Sequence, residues 1–181
     1  MKKDPTRREF IKNSTKTTAA VAAGVQVIGS TIPGKVLGAN DRINMGFIGI
    51  GNRGTQLFQA FMKNSDVNVV ALSDTYIPYM NRDYTQVDKR WREQLGGRIP
   101  KMGEDLSPNV KKYQDFRKLL EDKDVDAVCI GTPDHWHAIQ TISACQAGKD
   151  VYVEKPLTMT IKEGRRMVEV AKETDRVVQV G

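Results

Sequence analysis

Ile43-Asn44-Met45-Gly46-Phe47-Ile48-Gly49-Ile50-Gly51-Asn52-Arg53-Gly54 decides how this chain is read. Ile43, Met45, Phe47 and Ile48 form a short apolar run of strand type, and Gly49, Gly51 and Gly54 follow with the spacing G-x-G-x-x-G. In a strand-turn-helix unit the first glycine permits the tight turn, the second lets the backbone approach a pyrophosphate, and the third lets helix pack on strand. The helix is expected to begin near Asn52, which turns its N–H groups and the positive end of its dipole toward an anion. Leu57, Phe58, Phe61 and Met62 then make a helical apolar stripe. Val67 to Leu72 reads as a second strand ending at Asp74, an acid about 20 residues past the last glycine, where a ribose 2′-hydroxyl would be accepted.

Moving toward the C-terminus, Tyr79 to Leu95 has helical composition, and Gly96-Gly97, Pro100, Gly103 and Pro108 mark an extended surface loop. The tyrosines and Trp91 read as packing residues. Val110, Tyr113 and Phe116 suggest a short third strand and its exit, with Asp115 capping a helix over 116–121. Ala127-Val128-Cys129-Ile130 is a strand buried on both faces, and it runs into Gly131-Thr132-Pro133-Asp134-His135-Trp136-His137. In an open parallel sheet such a loop lies at the carboxyl ends of the strands, beside the glycine turn. Thr132, Pro133, His135 and His137 are therefore candidate cofactor contacts. The alternative stays open that Asp134 is an N-cap and the two histidines merely start a helix. No third ligand of suitable spacing accompanies the histidines, so no metal site is expected.

A helix over 138–147 closes at Gly148, and Asp150 to Glu154 makes the next strand, followed at once by Lys155-Pro156. The proline stops the strand and holds Lys155 extended, so a positive charge stands at the same sheet edge as the glycine turn. A lysine there can orient a hydroxyl or modulate a neighbouring base; the plainer alternative is an exposed charge at a strand end. Thr160 should cap a helix over 161–173 with Met167, Val168 and Ala171 on its apolar side, and Val177 to Val180 is a sixth strand.

The net charge of +6 and pI near 9.3 first suggest an acidic partner. Residues 1–40, however, carry seven Lys/Arg against two Asp/Glu, which leaves 21 against 20 for residues 41–181. The folded part is nearly neutral, with no basic patch interleaved with aromatics, so nucleic acid is excluded as a partner. Cys129 and Cys145 have no metal or redox spacing and read as buried small residues. Thr6-Arg7-Arg8-Glu9-Phe10-Ile11-Lys12, followed by a mildly apolar run from Ala19 to Gly29, resembles a twin-arginine export signal. The mature chain is expected to begin near Ala39 to Asp41, where no Cys is present for a lipid anchor.

With Gly49-Ile50-Gly51-Asn52-Arg53-Gly54, Asp74, Thr132-Pro133 with His137, Ala147-Gly148-Lys149 and Glu154-Lys155-Pro156 in hand, residues 42–181 resemble the N-terminal half of a Gfo/Idh/MocA oxidoreductase. The resemblance implies a Rossmann-type α/β fold, a doubly wound parallel sheet of six strands in the order 3-2-1-4-5-6, over residues 41–181. Residues 1–40 would be signal and linker. It implies NAD, with NADP also used in the family, held by Gly49, Gly51, Asn52, Arg53, Gly54, Asp74, Thr132, Pro133, His135, His137 and Glu154. Lys155 matches the catalytic-site lysine, and Asp74 the position that favours NAD. Relatives oxidise or reduce sugars and cyclitols. Their second α/β domain, which binds the sugar and supplies an acid/base Asp and His, has no counterpart here, so the chain is expected to be either a fragment of a longer gene product or a truncated protein, and in the intact parent that domain would also make a homo-oligomer. The partners implied are a sugar or polyol and, during export to the periplasm, the twin-arginine translocase. A glycosidase that works by transient sugar oxidation and a non-catalytic nucleotide-binding module are the other readings.

Overall fold

The computed structural model describes residues 42–86, 88–95 and 105–181, together with the backbone but not the side chains of Tyr84, Trp91, Gln94 and Leu95. The export-signal reading of residues 1–40, the expected start of the mature chain and most of the glycine- and proline-rich loop lie outside the described residues. Within them a six-stranded sheet has the order β3-β2-β1-β4-β5-β6, and every pairing is parallel. The strands are β1 (Ile43–Ile48), β2 (Val67–Ser73), β3 (Lys111–Tyr113), β4 (Ala127–Ile130), β5 (Asp150–Val153) and β6 (Val178–Val180). The expected order is the one observed. β1 is central, flanked by β2 and β4, and its register on β2 shifts between Met45 and Gly46.

Because a parallel sheet is covered on both faces, alternate residues of β1 feed two cores. Met45 and Phe47 point to the side covered by α1 (Asn52–Phe61), where Leu57, Phe58, Leu72, Met80 and Cys129 join them. Phe47 meets Phe58 edge-on at 4.7 Å, and Phe61 meets Tyr152 at 5.2 Å. Ile48 points to the other core, with Leu119, Val128, Ile130, Ala144, Val153 and Val170. Burying each of the larger of these side chains is worth about 1.5–3 kcal/mol, so the two apolar layers hold β1 in the centre of the sheet.

The helical segment expected over 79–95 is broken in two. α2 (Ile77–Asn81) ends at Arg82, whose φ of 57° is left-handed, and after a 3-10 turn at Tyr84–Gln86 comes α3 (Lys89–Leu95). Tyr76, read as a packing residue, is 43% exposed and donates its hydroxyl to the Gln86 carbonyl at 2.7 Å. Asp115 caps α4 (Phe116–Leu120) by accepting from Arg117 N, as its position implied. The next helix, α5 (His137–Gln146), is followed by Gly148 at φ +75°. Thr160 and Glu163 form a reciprocal capping box on α6 (Ile161–Thr174). The apolar face of α6 is rotated from the expected one: Met167 and Val170 are buried, whereas Val168 is 50% exposed. Residues 167, 170 and 171 keep the i, i+3, i+4 spacing of one helix face, and packing of α6 on α5 selects that face.

Candidate functional site

All the chemistry-bearing loops expected from the sequence converge at the carboxyl edge of the sheet, around the β1–α1 turn. Gly49 has φ +77°, and a Cβ there would lie 2.5 Å from the Thr132 side chain and 2.6 Å from the Thr132 backbone nitrogen. A Cβ on Gly54 would collide with the Gly49 carbonyl oxygen. These two positions admit only glycine, one for the turn and one for close packing. The missing Cβ of Gly51 faces the Tyr79 ring, 3.2 Å away. Gly51 is also the N-cap of α1 and offers no side-chain acceptor, and no acidic residue occupies the first turn. The positive end of a ten-residue helix thus opens beside a glycine turn, a fit for a phosphate group.

On one side of the turn a cleft of about 340 Å³ is lined by Gly49, Asp74, Thr132, Pro133, Trp136 and Gln140, among others. Asp74 accepts from Ile50 N at 2.8 Å through one oxygen and from Tyr76 N at 2.9 Å through the other. Burial raises its pKa above the ordinary 3.8, and the N–H groups of Tyr76 and Ile50 hold the rise back. Each oxygen retains a lone pair, so Asp74 can close the glycine turn and still accept from a hydroxyl.

On the other side a cleft of about 410 Å³ brings together Asn52, Arg53, Thr132, His137, Glu154 and Lys155. Glu154 is almost fully buried, with a side chain 3% exposed, and the 53% exposed Arg53 reaches it by Nη2 at 2.7 Å and Nε at 2.9 Å. The Glu154 carboxylate in turn raises the Arg53 pKa, chiefly by this hydrogen bond. The second Glu154 oxygen accepts from Lys155 N at 3.2 Å. Removing one partner of a fully buried pair costs roughly 3–5 kcal/mol; with Arg53 half exposed the cost here is about 2–3 kcal/mol, and the buried carboxylate still demands its guanidinium. The Lys155 side chain is exposed at the mouth of the cleft.

His137 is 1% exposed, with Nδ1 2.7 Å from the Pro156 carbonyl and Nε2 2.8 Å from the Thr132 carbonyl. Its ring is a strut between the two loops. His135 lines neither cleft; its side chain is 60% exposed, 3.8 Å from the Asp134 carboxylate. Among the described residues no group of three His, Cys, Asp or Glu is arranged to hold a metal ion. Cys129 and Cys145 are buried thiols, and burial raises the pKa of both.

Three residues went unnoticed in the sequence. Arg82 is buried under the turn and donates to Thr55 Oγ1 at 3.1 Å, within reach of the Ile50 carbonyl at 3.4 Å. Gln140 accepts from Thr132 Oγ1 at 2.7 Å, and Trp136 meets Phe116 edge-on at 6.3 Å along the Asp74 cleft. No spacing rule links them to the glycine motif, because each arrives from a different element.

The family model described as an oxidoreductase family with an NAD-binding Rossmann fold, Gfo/Idh/MocA, matches residues 43–181. The chain belongs to the Gfo/Idh/MocA oxidoreductase family. Its Rossmann domain is thus of the NAD-binding kind, which indicates a nicotinamide cofactor. Among similar proteins, a glycosyl hydrolase family 109 protein of Shewanella sp. (strain W3-18-1) is 30% identical over 183 aligned positions, covering 94% of this chain and 38% of the relative. Another from Shewanella putrefaciens (strain CN-32 / ATCC BAA-453) is 32% identical, covering 82% and 30%. Of solved structures, a probable dehydrogenase from Thermotoga maritima aligns with TM-score 0.57 at 27% identity, covering 77% of this chain and 36% of that one. The chain thus spans between 30% and 38% of the length of these relatives.

Proposed function

We propose that this chain is the cofactor-holding half of an enzyme that moves hydride between NAD and a secondary alcohol carbon of a sugar or polyol. The observation that carries the reading is the cleft in which Arg53 at the start of α1, the buried Glu154 and the exposed Lys155 line one wall of the glycine turn. In this reading Gly49, Gly51, Asn52, Arg53 and Gly54 cradle the pyrophosphate, and Asp74 accepts from the adenosine ribose hydroxyls and repels a 2′-phosphate, which favours NAD over NADP. Thr132, His137 and Glu154 shape the nicotinamide end, while Pro133 lines the Asp74 cleft and His135 lines neither. When bound, the nicotinamide supplies the hydride acceptor or donor. Lys155 orients or polarises the substrate hydroxyl, and an acid/base pair from a further domain of the intact protein completes the site.

A second reading, glycoside cleavage by transient oxidation of the sugar, is favoured by the relatives named glycosyl hydrolase family 109 proteins at 30% and 32% identity. Both readings use the same cofactor half and a carbohydrate. Titration of the chain with NAD and NADP tests the cofactor assignment: NAD binds more tightly, and tighter NADP binding overturns it. Assays of the intact protein on free polyols and on aryl glycosides separate the two reactions.

The export reading is part of the proposal. If Arg7 and Arg8 direct folded export through the twin-arginine translocase, the enzyme works in the periplasm, where no free NAD is supplied. It then retains its cofactor and restores it within each cycle. The intact protein is expected to purify from the periplasm with nicotinamide cofactor bound, and Arg7→Lys with Arg8→Lys to hold it in the cytoplasm. Normal export of the double variant overturns the signal assignment.

A further inference from the structure

Glu154 lines the cleft yet is nearly sealed from it, whereas its partner Arg53 is half in solvent, so the two ends of this ion pair face different environments. Arg53 is the second residue of α1, at the uncapped end of the helix where an anion is drawn. Its Nε and Nη2 both serve Glu154 Oε1, and Nη1 donates to Gln56 Oε1 at 3.0 Å. A guanidinium has five N–H groups in one rigid plane, so fixing one edge sets the direction of the rest. Leaving a buried carboxylate without its cation costs more than an exposed phosphate contact returns, so an arriving anion does not pull Arg53 off Glu154.

We propose that Glu154 is a positioning residue for the dinucleotide pyrophosphate: it does not touch the cofactor but locks Arg53 so that the remaining guanidinium N–H groups meet the phosphate oxygens preorganised. This rests on the nucleotide-binding reading and changes the part assigned to Glu154 within it, from a direct contact to an aiming device. Arg53 belongs to the glycine turn and Glu154 to the end of β5, so the pyrophosphate site is completed only when the sheet closes.

Calorimetric titration of the 181-residue chain with NAD and with ADP-ribose, which keeps the pyrophosphate but lacks nicotinamide, tests the proposal. Arg53→Met and Glu154→Gln are each expected to weaken both ligands about tenfold or more, the scale of one charge-assisted hydrogen bond. The double variant is expected to be no weaker than Arg53→Met alone, because Glu154 acts only through Arg53. A Glu154→Gln variant that loses NAD but keeps ADP-ribose affinity overturns the proposal in favour of direct contact with the nicotinamide half. Additive losses, or unchanged ADP-ribose affinity in both variants, overturn it too. Should Glu154→Gln not fold, by circular dichroism, Arg53→Lys decides: it keeps the charge without the fork and is expected to stay weak, whereas full recovery of ADP-ribose affinity refutes the aiming role. An unmutated chain that binds neither ligand overturns the nucleotide reading itself, and this inference with it.

Discussion

Two carboxylates flank the same glycine turn, and they are held in opposite ways. Asp74, after β2, is anchored by backbone N–H groups of Ile50 and Tyr76. Glu154, after β5, is anchored by a guanidinium and is nearly sealed from solvent. Backbone dipoles leave a carboxylate its full charge and spare lone pairs, so Asp74 remains an acceptor for an incoming hydroxyl. A guanidinium consumes the charge, so Glu154 becomes the counter-ion of a cation that faces the cleft. Acids at equivalent strand ends can therefore do different work, and burial with partner type separates them better than position does.

The largest expected effect comes from disturbing the turn that joins both sides. Gly54→Ala drives a methyl into the Gly49 carbonyl, and a loss of about 3 kcal/mol or more by denaturant unfolding is expected, at the top of the overpacking range because the obstacle is backbone. A variant within about 1 kcal/mol of the parent would show that the turn yields, and that neither carboxylate depends on its shape.

Next comes the asymmetry itself. Arg53→Ala should cost about 2–3 kcal/mol of unfolding free energy, below the fully buried range because Arg53 is half exposed, while Asp74→Asn should cost under about 1 kcal/mol. Equal losses would erase the distinction drawn between the two acids. For ligand, the two sites differ in kind: Asp74→Ala is expected to weaken NAD about tenfold while narrowing the gap to NADP, since it removes an acceptor together with a charge that repels a 2′-phosphate. Paired titrations with the two dinucleotides give both numbers.

The smallest effect is on pH dependence. The folded pKa of Asp74 is raised above 3.8 by burial, so in the window just above that value the folded chain holds a proton that the unfolded chain has lost. Stability attributable to Asp74 therefore falls as pH rises through the window, and Asp74→Asn should flatten that slope. NAD affinity runs the other way. It declines on acidification through the raised pKa, because the protonated acid has lost its charge, and this decline should be absent from Asp74→Asn.

Much of this arrangement was legible from the residues alone, because it is encoded by near neighbours. The G-x-G-x-x-G turn, the apolar strands and the Asp115 and Thr160 caps all act within a few residues of chain, and the structure has them where the pattern put them. Six parallel strands in the order 3-2-1-4-5-6 followed from alternating strands and helices once the turn was recognised. The break at Arg82 and the rotation of α6 did not, since both hang on which neighbour the segment packs against.

Local periodicity and turn chemistry by themselves determined the fold class and the sheet edge that carries the glycine turn, Asp74, Thr132 and Glu154, because hydrogen bonds within helices and turns reach only about four residues. Only the tertiary structure decided what each acid does. Arg53 meets Glu154 across 101 residues and Asp74 meets Ile50 across 24. Desolvation, which makes one carboxylate a counter-ion and leaves the other an acceptor, arises only when the sheet and its helices close around them.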